Sequence, residues 1–165
     1  MIHELALVGQ PPEHRDHRMT NPGIQPEIAD TAILEAYVTV DAGISEPTRI
    51  GERTWLLKHV HVGHDAQIGD DCELAVGTVI AGHAVLEDGV RCGINVSVLP
   101  FRRIGKGARI GAGAVVTKDV PAGEVWVGNP ARKLKATVHG EILTPAEMTG
   151  WEQFGIAVQT GRYPA

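Results

Sequence analysis

The sequence predicts an all-β chain, in which short parallel strands wind into a coil of about five turns with a short helix after it. Three observations point there. Every sixth residue from Ile50 to Val116 is aliphatic, with Cys92 the one exception. Neither the 3.6-residue period of a helix nor the two-residue period of a flat sheet gives that beat, whereas a coil that turns a corner every six residues does. Two residues before each sample stands a small or β-branched residue: Thr54, Val60, Ala66, Cys72, Thr78, Ala84, Val90, Val96, Ala108 or Ala114. Side chains alternate along a strand, so these face inward beside the aliphatic ladder. Finally, glycine is abundant at 20 and aromatics are scarce at 4%, which suits tight corners around a narrow aliphatic core.

Taken in order, residues 1–27 form an irregular lead-in. Leu5 to Val8 is either a short strand or a helical turn. His14 and His17 have a spacing that binds metal on a helix, but they lie among Pro11, Pro12 and charged residues, so a solvated loop is expected. Coils run over 28–127. The aliphatic phase extends back through Ile44 and Val38, with Ile33 in an early coil and an imperfect corner at Glu46-Pro47. From Gly51 to Gly111, small residues follow the aliphatic position where the chain leaves the strand. Arg102 falls on an inward position, which predicts either a bulge or a side chain that escapes at Pro100–Arg103. Val125 to Val127 reads as a last strand, and residues 128–165 as an exit loop and helical tail. Thr144-Pro145-Ala146-Glu147 is a helix start, so a short helix is expected over 145–158.

A net charge of −5 without a basic stripe argues against nucleic acid as partner. No apolar run approaches the ~20 residues of a membrane span. Met1-Ile2-His3-Glu4 lacks a signal peptide's basic flank and apolar core, so a cytoplasmic protein is expected. Cys72 and Cys92 both fall on inward positions and read as buried free thiols.

Turns of 18 residues set residues 18 apart about 4.8 Å from each other, one strand spacing. Glu46, His64, Gly82, Pro100 and Lys118 then share one corner column, and Asp65, His83, Phe101 and Asp119 the next. A histidine beside a backbone N–H suits attack on a carbonyl, which needs a base for the attacking hydroxyl or amine and a donor for the oxyanion. His64 and the Gly82 N–H supply them. Asp65, or Glu46 one coil below, orients the His64 ring, with Asp65 favoured. His61, His83 and Glu46 are expected to contact substrate. Lys118 stands about 14 Å from His64, three strand spacings away. With Arg132 and Lys133 it is a candidate for cofactor phosphates, and Ile94, Ala112 and Ala114 are candidates to line the cofactor arm. His59 is expected to be solvated. Trp55, Trp126 and Trp151 are expected as packing or oligomer contacts.

The beat resembles that of the hexapeptide-repeat acyltransferases, which implies a left-handed parallel β-helix and a homotrimer with sites between subunits. His61-Val62-Gly63-His64-Asp65, with Ala81-Gly82-His83, resembles the UDP-N-acetylglucosamine acyltransferases and the bacterial sugar acetyltransferases. In both, the histidine of the His-Asp pair is the base, which implies that role for His64. The stretch Ile110 to Pro121, then Val127-Gly128-Asn129-Pro130-Ala131-Arg132, resembles members that use acetyl-CoA, which implies acetyl-CoA as co-substrate. Two departures stand out. About 30 unrelated residues replace the nucleotide-sugar domain of the amino-sugar acetyltransferases, and Leu99 stands where the lipid A enzymes carry a further histidine. The expectation is acetyl transfer to a hydroxyl or amine of a sugar or nucleotide sugar. An acyl-carrier-protein donor and a non-catalytic trimeric β-helix are the alternatives. A γ-type carbonic anhydrase would need three zinc histidines, and no metal is expected.

Overall fold

A computed structural model describes residues 1–12 and 22–134, together with the backbone of the strands Ala136–Val138 and Glu141–Leu143. His14, His17, Trp151 and the helix expected over 145–158 lie outside the described residues. Within them there is no helix. Three faces of a prism are built by sheets of six, five and seven strands, and a separate antiparallel pair joins Ala136–Val138 to Glu141–Leu143.

The first face stacks Leu7–Gln10, Thr39–Asp41, His61–Val62, Val79–Ile80, Ser97–Val98 and Val115–Val116. Six strands, one per turn, stand where about five coils are expected. The second face runs from Glu27–Ile28 to Arg103–Ile104, and the third from Ile33–Leu34 to Val125–Val127, with Arg132–Lys133 closing it antiparallel. The ladder from Ile50 to Val116 is buried throughout, and the small residues beside it are buried too. Removing each large aliphatic side chain from water contributes roughly 2 kcal/mol. Inward threonines are satisfied: the Thr54 hydroxyl donates to the Gly69 carbonyl and accepts from the Cys72 N–H. Both cysteines are buried free thiols. Burial pushes Cys72 up to about 11, and Cys92 is pushed up more strongly by the same cause.

Every sixth residue from Arg53 to Gly113 has a left-handed backbone, with φ between 55 and 73°. These residues sit three after each aliphatic position and turn the corner. The glycines that directly follow the aliphatic positions serve another purpose. At Gly63 an added Cβ would lie 2.9 Å from the Gly82 nitrogen of the next turn, so glycine is required there by close approach of backbones.

Register shows where the chain departs from its repeat. From Arg49 to Val116 paired strands lie 18 residues apart, as Arg49 opposite Gln67. The turn before that is longer: Val40 lies opposite Val62, and Leu34 opposite Leu56, both 22 apart. The four extra residues lie in the corner between Asp41 and Arg49, which connects the first face to the second. The aliphatic samples of the early coils are therefore Leu34 and Val40. Val38 is buried in the companion position and Ile44 sits in the enlarged corner, so the phase expected through Ile44 and Val38 slips by four.

The lead-in contributes a strand. Leu7 and Val8 pair in parallel with Thr39 and Val40, which decides between the two readings of Leu5 to Val8. At Pro100–Arg103 the ladder stays in register, with Val85 opposite Arg103. The Arg102 side chain escapes: its Nε donates to the Pro100 carbonyl, and a guanidinium nitrogen lies 3.6 Å from Asp119. The irregular turn comes after it, where Ile104 bridges to Val120 and Ile110 faces Trp126, each 16 residues on.

Candidate active site

The enlarged corner and the one above it form a polar cluster around Asp65. Asp65 is the left-handed corner residue after His61–Val62 and is 1% exposed. The four-residue insertion wraps the backbone of Ile44, Ser45 and Glu46 around its carboxylate. Oδ1 accepts from the Ser45 N–H at 2.7 Å, the Ser45 hydroxyl at 2.8 Å and the Glu46 N–H at 2.8 Å. Oδ2 accepts from the Ile44 N–H at 3.1 Å and contacts His64 Nδ1 at 2.7 Å. The Asp65 N–H is itself tied to the Thr48 hydroxyl. Burial works against the charge. The Glu46 amide, the His64 ring, the Ser45 hydroxyl and the Ile44 amide outweigh it and hold the carboxyl well below the usual range.

An ionised Asp65 accepts only, so His64 Nδ1 carries the proton and Nε2 is the ring's basic nitrogen. Nε2 lies against Gly82: a Cβ built there would be 2.8 Å from both Nε2 and Cε1. The stacking expected between His64 and Gly82 is thus realised, and only glycine leaves room for the ring. The Gly82 carbonyl accepts from the Phe101 N–H, and among the described residues no oxygen accepts from the Gly82 N–H. His83 is the corner residue one turn above Asp65. Its Nε2 is 3.8 Å from Asp65 Oδ2, its ring meets His64 edge-on at 5.1 Å, and it stacks flat on Phe101 at 4.6 Å. His61 is half-buried on the first face, its Nδ1 2.8 Å from the Thr39 hydroxyl and its Nε2 3.9 Å from Asp41.

Other expected residues are placed differently. Glu46 reaches the site through its N–H, and its carboxylate turns outward to Arg49 at 3.6 Å. The inserted residues displace it from the column below His64. Ala114 is 0% exposed and belongs to the core, so it cannot line an external arm. Ile94 and Ala112 are exposed on the corner between the third and first faces. Lys118 is exposed on the corner of His64 and Gly82. Arg132 is exposed on the closing strand, and Lys133 is held by Glu124 at 2.7 Å. Trp126 packs against the core and Trp55 donates to Glu35. His59 is exposed and stacks on Tyr37 at 5.0 Å. It stands five residues from His64, but on the corner between the third and first faces, so the two do not converge. Among the described residues, ligating atoms of His64, Asp65 and His83 lie within 4.8 Å of one another, the set that could hold a cation.

Ser45, Thr48, Thr39 and Asp41 were not expected. The phase slip between Val40 and Ile50 was the one legible signal for the first two.

Residues 47–82 match the bacterial transferase hexapeptide (six repeats) family. This is a hexapeptide-repeat β-helix. Its repeat is 44% identical over 108 residues to a UDP-3-O-acylglucosamine N-acyltransferase of Caulobacter sp., covering 66% of this chain and 32% of that one. It is 35% identical over 145 residues to an acyl-[acyl-carrier-protein]–UDP-N-acetylglucosamine O-acyltransferase of Herminiimonas arsenicoxydans, covering 86% and 54%. The solved UDP-N-acetylglucosamine O-acyltransferase of Moraxella catarrhalis superposes with a TM-score of 0.75 at 31% identity, over 81% of this chain and 52% of that one. The coil shares that enzyme's fold, the left-handed parallel β-helix. The hexapeptide-repeat chain spans about half or less of the length of these relatives.

Proposed function

We propose that this chain transfers an acyl group from a thioester to a hydroxyl or amine of a sugar-like acceptor, with a nucleotide sugar as the acceptor class. The observation that carries this is the His64–Asp65 pair, with the basic nitrogen of His64 set against the Gly82 backbone. His64 Nε2 takes the proton from the acceptor as its oxygen or nitrogen attacks the thioester carbonyl. The Gly82 N–H holds the oxyanion of the tetrahedral intermediate. Collapse expels the thiolate, which recovers the proton from His64. His61 and His83 flank the acceptor. The names of the relatives support a UDP-sugar as the first acceptor to try.

For the donor, acetyl-CoA remains the first reading, with Lys118 and Arg132 for its phosphates and Ile94 and Ala112 along its arm. One observation favours a second reading, acyl carrier protein. Leu99 and Phe101, 41% and 66% exposed, flank the exposed Pro100 one turn above Gly82, an apolar surface suited to a longer acyl chain. The relative from Herminiimonas arsenicoxydans also carries acyl carrier protein in its name. We assign the reaction to the cytoplasm, where both thioesters are made. A homotrimer is proposed, and Leu7 and Val79, exposed on the first face, are the apolar side chains there that a neighbouring subunit would cover.

The test is a donor screen with acetyl-CoA, longer acyl-CoAs and acyl carrier protein thioesters against UDP-amino-sugars, with mass measured by light scattering. Turnover that His64→Ala abolishes is expected. Undiminished turnover in that variant would overturn the mechanism.

A further inference from the structure

Five donors converge on Asp65, and four come from the residues inserted into the repeat: three N–H groups and the Ser45 hydroxyl. The fifth is His64. At the corners that follow Val62, Ile80 and Val98, also between the first and second faces, the chain keeps the 18-residue register and has no such wrap. The insertion is therefore unnecessary for the coil. It is also specific in aim: Ser45 alone places two donors on Oδ1, the oxygen that does not contact His64.

We infer that residues 42–48 form a carboxylate-binding loop whose function is to lock Asp65, and through it the His64 ring, and that Ser45 is a positioning residue for the base. The loop occupies Oδ1 fully. That fixes the rotation of the carboxylate and leaves Oδ2 directed at His64 Nδ1. A carboxylate held only by water or by one side chain would rotate and share both oxygens between His64 and His83, whose Nε2 already lies 3.8 Å from Oδ2. The groups facing Asp65 are the loop amides, the Ser45 and Thr48 hydroxyls, His64 and His83. The Glu46 carboxylate turns away to Arg49. Ser45 is exposed, and its only recorded side-chain hydrogen bond among the described residues goes to Asp65. Its hydroxyl can thus be removed without opening the core.

The proposal rests on His64 being the base, and its test separates the two. Long-range proton–nitrogen NMR spectra of the histidine rings report which nitrogen of His64 carries the proton, without need of turnover. The wild type is expected to show the Nδ1–H form of neutral His64, and Ser45→Ala a measurable share of the Nε2–H form. Ser45→Thr, which keeps the hydroxyl, restores the wild-type spectrum. In the assay Ser45→Ala lowers kcat about five- to tenfold with KM unchanged, and Ser45→Thr recovers it. If Ser45→Ala leaves both tautomer and kcat as in the wild type, or if Ser45→Thr behaves like Ser45→Ala, the loop is only a corner. If no thioester is turned over but the tautomer shifts as stated, the acyl-transfer reading fails and the positioning role stands.

Discussion

Asp65 and Asp71 occupy the same place in successive sides of one turn. Each follows its aliphatic residue by three and has a left-handed backbone, φ 58 and 55°. Each has a carboxyl below the usual range, for different reasons. Asp71 lies on the surface, and a two-pronged Arg53 guanidinium from the turn below is the main cause, at 2.7 and 2.8 Å. Asp65 is shut off from water, which opposes its charge, and backbone amides, a hydroxyl and His64 overcome that. The unaltered repeat yields a solvated ion pair, worth little in stability and chemically quiet. Four extra residues convert the same position into a buried, fully bonded anion beside a histidine. A site arises where the chain departs from its period.

That contrast is open to attack by substitution, most drastically at the base. His64→Ala is expected to lower kcat by about a thousandfold, in the range for loss of a general base, with the thermal midpoint little changed because the ring is outside the core ladder. Rates and melting curves measured together check this; equal turnover would leave the buried corner without a chemical role.

Asp65→Asn comes next, with kcat expected to fall roughly a hundredfold as His64 loses its orienting anion. It also tests electrostatics. The fold favours the ionised form of Asp65, so its contribution to stability is complete above the ordinary value of about 4 and is lost as pH falls toward the lower folded value. Denaturant titrations from pH 7 downward should show the variant's unfolding free energy falling less steeply below pH 4 than the wild type's. Parallel curves would mean that Asp65 is not held as an anion.

Gly82→Ala is expected to cost about tenfold in kcat, since the new methyl must push aside the His64 imidazole at 2.8 Å. Full activity would show that the ring has space the geometry denies it. The smallest effect belongs to Asp71→Ala, expected to leave both the thermal midpoint and turnover close to the wild type. A large loss there would erase the distinction between the two corners.

Much of this was legible in the chain. The inward ladder from Ile50 to Val116, the buried thiols and the proximity of His64 to Gly82 all follow from a fixed period, because stacked parallel strands convert sequence separation directly into distance. What was misplaced lies where the period changes. Glu46 was assigned a substrate contact by counting 18 back from His64, and the 22-residue turn moved its carboxylate outward. Val38 and Ile44 were put in phase across the same insertion. Ala114 was assigned to a groove although its own inward position argued for the core, where it lies. Arg102 was flagged as irregular, and the backbone absorbed it by turning the side chain out; the shortened turn came later.

By itself the sequence determined the coil, its inward residues and the column that holds the base, since each of these repeats every six residues and needs no distant partner. The tertiary structure decided which carboxylate serves that base. Ile44, Ser45 and Glu46 stand about twenty residues from Asp65 and share no pattern with it. Their amides become donors only once the enlarged corner has closed over the one above it, removed its water and left the carboxylate nothing else to bond.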